Sequence, residues 1–446
     1  MKHFSSSRLI VCLFFFCILP LPTFAESKQD VDHVQDWVYS VVKGDNLSSI
    51  LSKCCKPEVD FQQLANYNDI SHVNLIHPGQ QLRIPYDLLK TQLLSIQTIA
   101  ISGKVTVKKS QEAGFSVLHV ADEISQGDVI KTGENSIAKL RFADHSELTI
   151  QPNSTLTVES SHQVYQTEKR KIKVKLSQGR VEIQANPHHE QDRLFEVETP
   201  SAVAVVRGTQ FRMGADEGLS TEETLDGAVA FSVAEQSVLV AKDYGSAAKQ
   251  GQPPLSPQPL PLSPSLDGFE VLYEYLPIDF KIESKSDVVA FVSQLAKDAE
   301  FIEIVSEANV PNTPDGKQLS FNELLDGQYY LKLRAKDANG LESRDAIHAF
   351  NVQAWPYPPT LMHPLADEEI PSLGQLFTWT KVDDATGYLI QIASDEAFEH
   401  VLLERQVPLI QFEWSQPLPK GSTFWRVAAE RGRKLQKYSK PRKLAL

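Results

Sequence analysis

Apolar and polar positions change period along the chain, and each change marks a structural boundary. Leu9 to Leu19 is an almost unbroken apolar run. From Trp37 the pattern shortens: Tyr39 and Val41 alternate with polar neighbours, as a brief strand would. Leu47, Ile50 and Leu51 then fall on one face of a helix, which Asp45 or Asn46 can N-cap and Lys56-Pro57 stops. Asp60 can cap a second helix with Phe61, Leu64 and Tyr67 inward, and Pro78-Gly79 turns the chain into a closing strand, Gln81 to Pro85. The order is strand, helix, helix, strand.

From Ile101 to about Lys242 the period becomes two. Ala138, Leu140 and Phe142 alternate before Asp144-His145-Ser146, Leu148 and Ile150 before Pro152-Asn153-Ser154, and Ile172, Val174 and Leu176 before Gln178-Gly179. Short, evenly spaced strands of this kind predict an all-β sandwich, barrel or solenoid-like stack. Gly251 to Pro264 is proline-rich and predicts an extended, semi-rigid spacer of about 3.1 Å per residue. Beyond it the pattern repeats. Phe291, Gln294, Leu295, Ala296, Asp298 and Phe301 align with Tyr388, Gln391, Ile392, Ala393, Asp395 and Phe398. A period of about ninety-five residues suits two β-sandwiches in series.

Composition narrows the functional classes. Lys2 and Arg8, the apolar run and the small residues at Thr23-Phe24-Ala25 read as a signal peptide over 1–25, too short for a lasting span. With no Cys at the cut, no lipid anchor is expected there, and no later stretch has the length of a transmembrane helix. The net charge is −13, and losing Lys2 and Arg8 makes the mature chain more acidic still. An acidic chain lacks the basic footprint of a nucleic-acid binder. The local exception, Glu168 to Lys175, is basic on alternate positions and reads as a solvated strand face rather than a contact for an anionic polymer. After cleavage only Cys54 and Cys55 remain, so no disulfide framework is expected. Adjacent cysteines bridge poorly, and no Cys-x-x-Cys or His-x-x-x-His pattern completes a zinc set. They read as helix-end thiols, one of them buried. No metal and no cofactor are expected.

Tyr39, Val41, Gly44-Asp45, Leu47 and Ile50, followed by Leu64, Asn68, Leu75, Pro78-Gly79 and Leu82-x-Ile84-Pro85, together resemble a LysM module over 37–86. The resemblance implies binding of N-acetylglucosamine-containing glycans in a shallow groove between two loops. On this chain the implied groove is Gly44, Asp45, Asn46 and Leu47 facing Leu75, Ile76, Pro78 and Gly79. Such a groove makes sense: acetamido groups can pair with loop amides that glycines leave accessible, and Leu47, Leu75 and Ile76 could pack the acetyl methyl. Leu47 could equally be core, since a residue in the first helical turn can face either way. The stretch Ser52 to Val59 is longer than usual for the family and carries both cysteines, at the end away from the groove.

Gly127 to Gly133, Ala138 to Ser146, and Thr199-Pro200 leading into Val206-Arg207-Gly208-Thr209-Gln210-Phe211 resemble the FecR domain, placed here at 100–245. His145 stands where that family usually has Gly, and Gly208 is expected to supply a positive-φ turn. Thr209 has no base near it and reads as structural. The name-giving members are membrane-spanning regulators that pass iron-uptake signals to a sigma factor. Eight residues before the leader give this chain no cytoplasmic arm for that role, so the resemblance bears on fold and on a Gram-negative-type periplasm. After a linker at 246–265, the repeats at 266–354 and 355–446, with Trp379 close to Tyr388, are similar to fibronectin type III and immunoglobulin-like domains.

The expectation is a multi-domain, mainly β, non-catalytic periplasmic protein. It would bind peptidoglycan glycan strands through one βααβ module and present β-domains to an unidentified envelope protein. One alternative is a FecR-like signalling regulator. The other is a cell-wall hydrolase or its accessory, but no Cys-His pair, paired carboxylates or zinc motif has workable spacing, and His188-His189-Glu190 reads as loop.

Overall fold

The computed structural model describes residues 36–167, 169–186, 193–206, 208–284, 287–313, 317–366, 368, 374–416, 423–432 and 434–444. The expected signal peptide, Glu168, His188-His189-Glu190 and Arg207 lie outside them. The chain divides after Lys90 into two compact units.

In the first unit, strands β1 (Asp36–Ser40) and β2 (Gln81–Pro85) pair antiparallel, with helices α1 (Leu47–Cys54) and α2 (Phe61–Tyr67) between them in sequence. Asn46, rather than Asp45, caps α1: its Oδ1 accepts from the Ser49 amide at 2.8 Å while Ser49 Oγ accepts from the Asn46 amide at 3.0 Å. This reciprocal box satisfies two of the donors that every helix start leaves free. Asp60 caps α2 as expected. Leu47, Ile50, Leu64, Leu82 and Ile84 form the core. Phe61 and Tyr67, expected inward, are both partly exposed. A helix as short as α2 presents a narrow inward stripe, which Leu64 and Ala65 fill. Tyr67 instead donates its hydroxyl to Asp36 at 2.7 Å.

The second unit begins with a closed β-barrel running from Thr91–Leu93 to Gln258–Pro259. Its alternating apolar residues, among them Leu140, Ile150, Leu156, Val174, Val181 and Phe211, meet in one core. The strand Arg170–Gln184 ties the barrel together. Its first half pairs with Thr155–Val164 and, in parallel, with Arg193–Glu198; its second half pairs with Glu147–Ile150 and Gln210–Asp216. Gly208 has φ +66, the left-handed turn anticipated for it.

Two sandwiches follow. Among the described residues each pairs a three-stranded sheet with a five-stranded one. Trp379 and Tyr388 meet in the second core with ring centroids 5.7 Å apart, beside Phe377 and Trp425. The repeated positions behave alike. Gln294 donates to Glu307 and Gln391 to Glu404, while the Lys332 ammonium and the Arg426 guanidinium lie over Phe301 and Phe398 at 4.1 and 4.0 Å.

The proline-rich segment is extended but is no free spacer. Residues Tyr244–Lys249 already belong to a barrel strand, which pairs with Gln258–Pro259. Leu255 and Leu260 bond back to Ala247 and Asp243, and Ser263 donates to the Arg344 carbonyl of the first sandwich. The physical reason is local: Gly245, with no side chain, leaves room for Leu260 and for Leu341 of the sandwich to close over the barrel.

Candidate functional site

The loops of the LysM-like unit lie side by side. The Val41 amide donates to the Gln80 carbonyl at 2.9 Å, and the Gly79 amide donates to the Val41 carbonyl at 2.8 Å. Gly44 and Gly79 adopt φ +95 and +89, and the space where a side chain would stand is open at both. They therefore expose backbone where few other residues could hold the same turn.

The eight residues expected to line the groove divide into two groups. Gly44, Leu75, Ile76, Pro78 and Gly79 lie on the two loops, with Leu75 60 % exposed. Asp45, Asn46 and Leu47 serve the module's own structure. The Asp45 carboxylate accepts from the Val42 amide at 2.9 Å and the Tyr39 hydroxyl at 2.8 Å, and these bonds hold it below the usual carboxylate range. The same contact raises Tyr39. Asn46 spends its carbonyl oxygen on the helix cap. Leu47 is only 2 % exposed and packs inward, so its side chain belongs to the core. Exposed Val42, beside the glycine turn, was not singled out in the sequence, because a valine after a strand looks like its continuation.

Both cysteines are buried, where one was expected to be. Their sulfurs lie 3.7 Å apart, and Cys54 Sγ donates to the Ile50 carbonyl at 2.9 Å. Sharing a hydrogen bond with Cys55, together with burial, raises the Cys54 thiol. A buried thiol held in that state is a poor nucleophile and a poor metal ligand. The basic strand is likewise internally neutralised: Lys173 pairs with Glu159, Glu196 and Glu198 at 3.1, 3.2 and 2.7 Å, and Lys175 with Glu198 at 3.0 Å. Thr209 is buried beside Gly227, whose missing side chain makes room for it.

A second constellation, not anticipated from the sequence, joins the barrel to the first sandwich. Arg180 pairs with Glu307 and Glu342 at 2.8 and 3.0 Å; Arg334 pairs with Glu182, Glu342 and Asp345 at 2.5, 3.3 and 2.5 Å. Arg212 pairs with Glu223 at 3.1 Å and donates to the carbonyls of Glu342 and Ser343. Burial pushes Glu342 up, but Arg180, Arg334 and Arg212 outweigh it and hold it at about 2. For Glu223 burial wins over Arg212, and its carboxyl rises to about 7. Among the described residues no set of His, Cys, Asp and Glu is grouped as a metal site, and no helix is long and apolar enough to cross a membrane.

Residues 39–85 match the family model described as LysM domain, and residues 128–230 match that of FecR protein. A Deinococcus radiodurans protein described as uncharacterized is 41 % identical over 59 residues, which cover 13 % of this chain and 23 % of the relative. Among solved structures, a putative anti-sigma factor from Parabacteroides distasonis is 13 % identical, with a TM-score of 0.25, over 29 % of this chain and 59 % of that one. The FN1–FN3 domains of chicken CNTN1 are 10 % identical with a TM-score of 0.20, over 60 % of this chain and 97 % of theirs.

Proposed function

For a chain that contains a LysM module and a FecR domain, we propose the role of an exported, non-catalytic wall-binding protein of the bacterial envelope. The module holds peptidoglycan glycan strands, and the β-domains behind it meet another envelope protein in the periplasm. The observation that supports this reading is the pair of tied loops, with open backbone at Gly44 and Gly79 and an exposed Leu75 between turns. A neutral acetamido group can approach the backbone left uncovered at the two glycine turns, and Leu75 offers an apolar surface for its methyl. The FecR domain by itself also suits an envelope signalling regulator, the second reading.

The test is sedimentation of the exported chain with purified peptidoglycan at low and high salt. A groove of neutral groups should bind with little salt dependence, whereas exposed charges are screened over about 8 Å at physiological salt. Leu75→Ser should weaken binding about tenfold, the share of one packed aliphatic side chain. Leu239→Ser, at a barrel residue that is 70 % exposed, serves as control and should leave binding unchanged. Full binding by Leu75→Ser, or binding by the parent that disappears at moderate salt, would place the wall contact elsewhere.

A further inference from the structure

The barrel and the first sandwich enclose between them a cleft of about 480 Å³. Its volume is within the range of about 300–1,000 Å³ usual for small-ligand sites, which concentrate at domain boundaries. The deep end is the ion network described above, where Arg180 and Arg334 are fully engaged with carboxylates. The outer part differs. Lys336, half-buried on the sandwich wall, makes no ion pair within 4.0 Å among the described residues and acts on the Glu342 carboxylate only from farther away. Asp216 and Glu217, on the turn of the facing barrel hairpin, are exposed and equally unpaired. The side-chain amides of Asn153 and Asn309 also line the cleft, with no hydrogen-bond partner among the described residues. Gly214 keeps the floor low: a side chain there would meet Thr221 Oγ1 at 2.6 Å.

Opposite charges in one cleft that do not pair with each other leave a gap for a molecule carrying both signs. Two free carboxylates against one ammonium favour a ligand that contributes an amine as well as a carboxylate. The unpaired amides suit a peptide backbone. A neutral glycan offers neither charge. We propose that this cleft takes the peptide stem of peptidoglycan, its amine at Asp216 and Glu217 and its carboxylate at Lys336. The assignment rests on the wall-binding reading above and adds a second, chemically different contact with the same polymer.

Calorimetry on the full exported chain separates the two contacts. Three soluble probes are titrated: a stem tetrapeptide containing a diamino acid and D-alanine, an all-L tetrapeptide of the same composition, and a neutral chitin oligosaccharide. The parent should bind the stem peptide. Lys336→Met, and separately Asp216→Asn with Glu217→Gln, should each weaken that binding tenfold or more, about the share of one charge-assisted contact. Neither change should alter oligosaccharide binding or the melting temperature. Leu75→Ser should do the reverse, reducing oligosaccharide binding and sparing the stem. If the parent binds no stem peptide, if both cleft variants bind it fully, or if the all-L peptide binds as tightly, the cleft assignment fails. Failure of the parent to bind the oligosaccharide would instead remove the glycan-binding reading of the module.

Discussion

His145 holds φ +67 in the turn between the strands Ile137–Arg141 and Glu147–Ile150, with its amide bonded to the Phe142 carbonyl at 2.9 Å. Its side chain is exposed, while Asp144 beside it secures the turn by accepting from the amide and hydroxyl of Ser146. A non-glycine residue in left-handed conformation costs about 1–2 kcal/mol, and glycine gives back about 0.5–1 kcal/mol through the freedom of the unfolded chain. His145→Gly should therefore stabilise the chain by about 0.5–1 kcal/mol, and His145→Val should destabilise it. A shift in the denaturation midpoint at constant slope reads both; a lower midpoint for His145→Gly would mean that the imidazole makes a favourable contact. At this scale the sequence could be read where one residue type fits one geometry, as with Gly44, Gly79 and Gly208. It could not divide Leu47 between core and groove, or Asp45 from Asn46 as the helix cap. Those choices depend on where the second loop lies, which local spacing does not encode.

Period-two alternation located the barrel strands wherever one face is apolar. It is weakest at Leu219–Asp226, which reads as polar almost throughout. Both of that strand's faces are covered: Thr221 and Glu223 look onto the first sandwich, while Ser220, Glu222 and Thr224 are buried on the other face, all fully inaccessible. Burial raises the Glu222 carboxyl well above its ordinary 4.5, against a hydrogen bond from Thr224 at 2.7 Å that lowers it. A carboxyl whose folded pKa exceeds its unfolded one binds more protons folded than unfolded. Stability should then fall as pH rises from 4.5 through the folded value. Glu223, at about 7, acts in the same direction between 4.5 and about 7. Glu342, at about 2, acts oppositely and only below 4.5. Glu222→Gln keeps the acceptor for Thr224 without a titrating proton. Its melting temperature should vary less between about pH 5 and pH 8, and at the upper end should exceed the parent's by a few degrees. Parallel curves for the two proteins would mean that Glu222 is solvated and ordinary.

The repeat beyond residue 265 announced two sandwiches but not that the first is seated on the barrel. The partners in that seat lie far apart in sequence, 162 residues for Arg180 and Glu342 and 152 for Arg334 and Glu182. Nothing in the spacing of the charges announces them. The contact is partly apolar, with Ile137 of the barrel against Phe301 and Ile304, and partly ionic. The ionic part is the more informative to break. Arg334 is 4 % exposed, and Glu182 makes its ion pair with Arg334 alone among the described residues, whereas Glu342 and Asp345 keep Arg180 and Arg212 as second partners. Removing one member of a fully buried pair strands the other, at a cost of about 3–5 kcal/mol, and the cost is smaller here because the Glu182 side chain keeps 29 % exposure; replacing both by apolar residues is often close to neutral. Arg334→Met should thus destabilise strongly, and adding Glu182→Leu should recover more than about 1 kcal/mol in a double-mutant cycle. If the seat is what holds the proline-rich segment down, Arg334→Met should also expose residues 250–264 to protease, and the double variant should protect them again. Additive losses with an uncut proline-rich segment would show that the apolar contact holds the two domains together and that the ion network contributes little.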